Sequence, residues 1–154
     1  MKTLNHWFDE YSISHQNKIN KGIHYICVPV IFFSIVGLLM SIPATFLEEL
    51  IPGTNFILEN WAAPVILLVL FFYVRLSFAM GIKMLIFSML CIIGNYYLGS
   101  VVTLWIASLS IFVIAWIGQF YGHKLEGKKP SFLKDIQFLL IGPAWVINSL
   151  FGNK

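Results

Sequence analysis

The sequence predicts an all-α, polytopic membrane protein. Four transmembrane helices are expected, with a short N-terminal helix before them and a C-terminal re-entrant or interfacial helix after them, in a single integral membrane domain over residues 1–154. Three observations predict this. Of the 154 residues, 58% are hydrophobic and 11% are charged. An average soluble domain has about 25% charged residues, so this chain has too little polar surface to cover a water-soluble globule. The apolar residues also come in blocks of roughly the length a bilayer requires. Finally, all ten Lys and Arg residues fall within residues 1–22, 75–83 and 123–154, the one-sided distribution of a membrane protein.

The elements follow in order. The first 22 residues hold Asp9, Glu10, Lys18 and Lys21, where a signal peptide would have its apolar core, so the expectation is a mature N-terminus. A short helix is expected to end near His15. A turn follows, because Asn17, Asn20 and Gly22 offer break points. Residues 23–43 carry no charge and form the first expected span, with Pro29 near its start, where a helix tolerates proline best. The second is 61–80. It contains Arg75 near one end, from which the side chain snorkels to the surface. Residues 84–122 contain no charge at all, too long for one span and enough for two. The stretch NYYLGS at 95–100 combines breakers with interfacial aromatics and divides them into spans at 84–98 and 101–121. The segment IQFLLIGPAWVINSLF, 136–151, is apolar but short, and Gly142-Pro143 interrupts it. It reads as the re-entrant or interfacial helix.

With the N-terminus inside, the three basic pieces all face the cytoplasm. The outer loop, 41–60, holds Glu48, Glu49 and Glu59 and no basic residue. Both termini are therefore expected to be cytoplasmic. Lys, Ile and Asn usage favours a bacterial inner membrane, with the endoplasmic reticulum as the eukaryotic counterpart. The net charge of +3 forms no nucleic-acid patch. Cys27 and Cys91 stand apart in apolar segments and read as small core residues. No GxGxxG and no βαβ pattern marks a nicotinamide or flavin site. Beyond Arg75 and Lys83, the middle spans hold no ionisable pair that would mark an ion path.

Two of the four histidines bracket the polar stretch HQNKINKGIH, 15–24, and a third closes the last long apolar run in WIGQFYGHKLEGKKP. The topology brings His15, His24 and His123 to one depth, with His6 left near the N-terminal end. Nine residues along one continuous helix is about two and a half turns and puts His15 and His24 on opposite faces. They converge only if the chain bends between them. Asn20 and His24 share a face at i,i+4, and His123 and Glu126 lie at i,i+3. Imidazole ligates iron, zinc and copper, and a carboxylate can join it. Gln119, one turn before His123, orients that ring or makes an interhelical hydrogen bond. Tyr11, four residues before His15, reaches the same site or serves as an interfacial tyrosine. Lys124, Lys128, Lys129 and Lys134 read as solvated inside-facing charges or as contacts for an anionic headgroup or substrate carboxylate. The residues alone leave three functions open: a metal centre with positions free for O2 chemistry, a haem-binding electron carrier, and a non-catalytic lipid-binding or scaffold protein with structural histidines.

Two motif blocks narrow this. Y-x3-H-x4-N-x3-H-x4-P is formed by Tyr11, His15, Asn20, His24 and Pro29. W-x2-Q-F-x-G-H-x2-E-x3-P is formed by Trp116, Gln119, Phe120, Gly122, His123, Glu126 and Pro130, and a Gly142-Pro143 pair follows. Together they resemble the membrane 2-hydroxy fatty acid dioxygenase family of fatty-acid α-oxidation. The resemblance covers nearly the whole chain, although about residues 40–110 match only in being hydrophobic. It implies an Fe2+ enzyme whose catalytic, metal-binding residues are His15, His24 and His123. Glu126 is a further candidate ligand, and Asn20, Gln119 and Tyr11 stand around them. The implied substrates are a 2-hydroxy fatty acid and O2, and the products an acid one carbon shorter, CO2 and water. That equation balances without a reductant or 2-oxoglutarate.

Overall fold

The structure, a computed structural model, describes residues 2–50, 56–129 and 137–151. Pro130, Lys134 and Ile136 lie outside the described residues. The regular elements among those described are all helices: α1 (Leu4–Ser12), α2 (Lys18–Met40), α3 (Thr45–Leu50), α4 (Ala62–Leu76), α5 (Phe78–Val101), α6 (Leu104–Glu126) and α7 (Gln137–Phe151). Three of them, α2, α5 and α6, are long and apolar enough to cross a membrane. Large apolar side chains on these helices stand open to the surroundings, among them Ile26, Leu90, Val101 and Ile114. A water-soluble surface does not carry so many, whereas a lipid-facing one does.

Several expected boundaries move, each for a local reason. The span expected at 61–80 is a 15-residue helix, α4, with a rise of roughly 22 Å, short of the ~30 Å hydrocarbon core. Ser77 causes this. It is extended (φ −165°, ψ 125°), its N–H closes α4 on the Tyr73 carbonyl, and its hydroxyl accepts from the Met80 N–H to start α5. One residue therefore replaces the turn expected over 75–83, and Phe78 to Lys83 are helical. The turn expected at 95–100 is also helix. The side chain of Asn95 satisfies itself inside, donating from Nδ2 to the Cys91 and Phe33 carbonyls, both at 2.9 Å. The chain breaks instead after Val101, where Val102 turns extended in a run of β-branched residues that favours a strand-like backbone.

Helix α2 begins at Lys18, five residues before the expected 23, so Pro29 sits near its middle rather than near its start. Membrane helices accept such a proline because neighbouring groups take up the freed carbonyl. Gly142-Pro143 likewise does not interrupt the last segment, since α7 is continuous through it.

Contacts divide the chain into two compact units, Met1–Ile31 with Val113–Lys154, and Phe32–Phe112. The second unit has a core of Val36, Ala62, Ile66, Cys91 and Ile92, with Phe32, Phe33 and Phe87 packed against it. In the first unit, α2 and α6 approach closely along Gly118 and Gly122. A Cβ on Gly118 would lie 2.8 Å from Cys27 Sγ, and one on Gly122 would lie 2.5 Å from Asn20 Oδ1. This is a small-x3-small contact of the kind that lets membrane helices pack backbone to backbone.

Gly122→Val should therefore overpack the contact and lower stability by about 1–3 kcal/mol, read as a lower midpoint of thermal unfolding in detergent. Gly22→Ala is the control, because a Cβ there meets nothing within 4 Å. It should leave the midpoint unchanged or raise it, alanine being the better helix former.

Candidate metal centre

The first unit builds its site from two helix ends and the turn between α1 and α2. Helix α1 stops at Ser12. Tight i→i−3 bonds from the N–H groups of Ile13, Ser14 and His15 to Glu10, Tyr11 and Ser12 carry the chain round to His15. Asn17 then starts α2, its Oδ1 accepting from the N–H groups of Ile19 (2.8 Å) and Asn20 (3.4 Å), as an N-cap asparagine does. The bend that His15 and His24 needed thus lies at residues 13–17.

That bend brings His15, His24 and His123 together, all three buried. One ligand nitrogen from each lies within 4.8 Å of the others. The ring centroids are 4.3 Å apart for His15–His24, 4.8 Å for His24–His123 and 5.0 Å for His15–His123. His15 Nδ1 is 2.6 Å from the Tyr11 carbonyl and His24 Nδ1 is 2.9 Å from the Asn20 carbonyl. A carbonyl only accepts, so each Nδ1 donates, and each Nε2 holds the lone pair of the neutral ring. Burial is the main influence on His15 and pushes its pKa down to about 4, so this ring is neutral at pH 7.

The acceptor side is left over. His24 Nε2 faces His123 Nε2 at 3.2 Å. His15 Nε2 and His123 Nδ1 are buried without a hydrogen-bond partner. A buried acceptor with no donor is costly. Neutral imidazoles with converging lone pairs are also the donor set a transition metal takes, so the residues fit a metal ion.

The other expected residues are placed as follows. Tyr11 stacks on His15, centroids 4.1 Å apart and planes 11° from parallel. Gln119 is buried, and its side chain is a hydrogen-bonding neighbour of His24. Asn20 is fully buried, its Nδ2 donating to the Ser14 carbonyl (3.3 Å) and to Glu126 Oε2 (3.0 Å). The carboxylate of Glu126 lies on the backbone N–H groups of Gln16 and Asn17, both at 2.8 Å, and the metal-capable group among the described residues is the three histidines. His6 stands apart on α1, paired with Glu10 at 3.1 Å. A cavity of about 330 Å³ opens beside His123, lined by Phe120, His123, Lys124, Gly127, Lys128 and Lys129.

The sequence reading missed Trp145. Its ring lies 5.6 Å from His15, 5.3 Å from Tyr11 and 5.6 Å from Tyr25, and its indole N–H donates to Ser12 Oγ at 3.1 Å. No spacing ties Trp145 to the histidines; only the docking of α7 on α1 reveals it. Gly118 and Gly122 have the small-x3-small spacing that signals a close helix contact.

Membrane-length helices whose ends, together with the turn before α2, bury three imidazoles define a small membrane protein with a candidate metal centre. Compared with known families, the chain matches the model described as 2-hydroxy-palmitic acid dioxygenase Mpo1-like over residues 1–154, and it belongs to that family. The match bears out the resemblance carried by the two motif blocks, and the family's name points to dioxygenase chemistry on a hydroxylated fatty acid. Comparison with curated proteins and comparison with solved structures each find no match.

Titration of metal-free protein with Fe2+ or Co2+ should quench tryptophan fluorescence and saturate at one ion per chain. His15→Ala should remove the saturable quench, and Trp145→Phe should shrink it. A quench undiminished in Trp145→Phe would put the ion elsewhere.

Proposed function

We propose that the protein is an Fe2+-dependent dioxygenase that cleaves 2-hydroxy fatty acids to the acid one carbon shorter. The observation that carries this reading is the buried trio of imidazoles, two of them locked by backbone carbonyls with Nε2 turned inward. His15, His24 and His123 would hold the ion. Bound iron supplies the redox chemistry that lets O2 react with a closed-shell acid. In the overall reaction the C1–C2 bond breaks, C2 becomes the new carboxyl carbon, C1 leaves as CO2, and O2 accepts the four electrons. Acid plus O2 gives shortened acid, CO2 and water, with nothing else consumed.

The chain's own residues supply the setting. The Tyr11 and Asn20 carbonyls fix the ring orientations, as outer partners of metal-binding histidines do. Tyr11 and Trp145 cover His15 with apolar surface and keep bulk water from it. The cavity beside His123 offers a polar head an approach past Lys124 and Lys129, which suit a carboxylate. The same three neutral imidazoles would also take zinc. The haem alternative finds no support in the geometry, because rings 4.3–5.0 Å apart leave no slot for a macrocycle.

We further propose four crossings with both termini cytoplasmic. His24 near the start of α2 touches His123 near the end of α6, so α2 leaves a membrane surface and α6 returns to it. An even number of crossings must lie between. If α5 crosses, α4 must cross as well, short as it is. The basic residues then mark that surface as the cytoplasmic one.

Protein purified anaerobically in mild detergent should contain close to one iron per chain and should consume 2-hydroxypalmitate and O2 one to one. His24→Ala should lose both properties. The methyl ester of the same acid should be a poorer substrate through a raised KM. Zinc in place of iron, or full turnover in His24→Ala, would overturn the iron reading. For topology, cysteines placed at Lys129 and at Glu59 in a Cys27/Cys91-free background should label from opposite sides of sealed vesicles. Labelling from one side would exclude four crossings.

A further inference from the structure

We infer that Glu126 is a positioning residue of the histidine cluster and not one of its ligands: its carboxylate clamps the turn that carries His15 to the helix end that carries His123. This rests on the reading of the histidines as metal ligands. Both carboxylate oxygens are engaged. Oε1 accepts from the Gln16 N–H at 2.8 Å, and Oε2 accepts from the Asn17 N–H at 2.8 Å and from Asn20 Nδ2 at 3.0 Å. These donors have a reason to attract a charge. Gln16 and Asn17 directly follow His15 and precede α2, where the helix leaves N–H groups unsatisfied and its dipole is positive. Such bonds to an ionised acceptor are the strong ones.

The grip is two-sided. After α6 the chain turns at Gly127, whose φ of 69° favours glycine, and the N–H of Lys128 returns to the His123 carbonyl at 3.4 Å. Lys128 Nζ then donates to the Ile13 carbonyl at 2.7 Å. Residues 13, 16 and 17 are thus held by residues 126 and 128, and His15 lies between the held points. Asn20 closes the remaining gap by joining the Ser14 carbonyl to Glu126. His15 is the one cluster member carried by a turn rather than a helix, so its place depends on this clamp. The metal-capable group among the described residues is the three histidines without Glu126, so as a ligand Glu126 would have to turn towards them and loosen its grip on the turn.

The test compares wild type with Glu126→Ala and the same-sized Glu126→Gln. In metal-free protein, hydrogen exchange of the peptide covering residues 13–20 should speed up about tenfold or more in Glu126→Ala and less in Glu126→Gln, with exchange in α5 unchanged. Affinity for Co2+ should fall on the order of 10–100-fold in Glu126→Ala. X-ray absorption of the loaded variant should still show three imidazole nitrogens and no lost carboxylate oxygen. Loss of an oxygen ligand with unchanged exchange would overturn the proposal and make Glu126 a ligand. Unchanged exchange together with unchanged affinity would also overturn it. Wild type that binds no metal would sink the metal reading itself, which is a different result from wild type and variant binding equally well.

Discussion

A neutral imidazole taken out of water has one donor and one acceptor nitrogen to satisfy. His15 and His24 satisfy the donor in the same way, each giving its Nδ1 proton to the carbonyl four residues back. Neither can then satisfy the other, because two Nε2 lone pairs repel. His123 can donate to one of them at most, and it does so only by leaving its own Nδ1 buried as an acceptor. With all three rings neutral, the cluster is short of something electron-poor, and His15 Nε2 and His123 Nδ1 are left without a partner. Bringing one nitrogen of each such ring within 4.8 Å of the others has an energetic cost that packing alone does not offset. The rest of the first unit is arranged to enforce that approach: glycines on α6 where α2 comes close, a turn pinned from both sides, and an aromatic cover from α7.

Much of this was legible in the sequence because it followed from residue type and chain direction. His24 and His123 stand at the ends of apolar runs that travel in opposite senses, so they had to meet at one level. His15 could join them only through a bend, and Asn17 is the kind of residue that makes one. The fold class was legible for a simpler reason, since burying 58% hydrophobic residues with 11% charged ones leaves lipid as the remaining solvent.

The boundaries that moved depended on contacts a linear reading does not contain. Asn95 looks like a turn residue until two carbonyls, one of them 62 residues away, take both its amide protons. Ser77 looks unremarkable between Arg75 and Lys83, yet it caps one helix and begins the next. Pro29 and Pro143 look like terminators and are absorbed within helices. The i,i+3 spacing of Glu126 from His123 correctly puts it near the histidines. The spacing is silent on the backbone N–H groups more than 100 residues earlier in the chain that claim its carboxylate. Trp145 carried no signal at all, because an aromatic in an apolar helix is ordinary until its neighbours are known.

The position of the Glu126 carboxylate has an electrostatic consequence for the proposed chemistry. Three neutral imidazoles add no charge to a divalent ion, so a loaded site would keep about two positive charges in surroundings of low dielectric, where charge is costly and an arriving anion is strongly favoured. A carboxylate among the ligands would cancel half of that attraction before any substrate came. Glu126 is instead held on the N–H groups that open α2, close enough to fix the turn and already engaged by three donors. Lysines 124, 128 and 129 stand on the same side, around the cavity beside His123. Under the proposed reading, an acyl chain whose carboxylate leads would suit this distribution: the lysines beside His123 would attract the head, and the exposed apolar flanks of α2 and α6 would offer the tail a surface like lipid. A neutral ester of the same length would find the apolar half of that preference and lose the charged half.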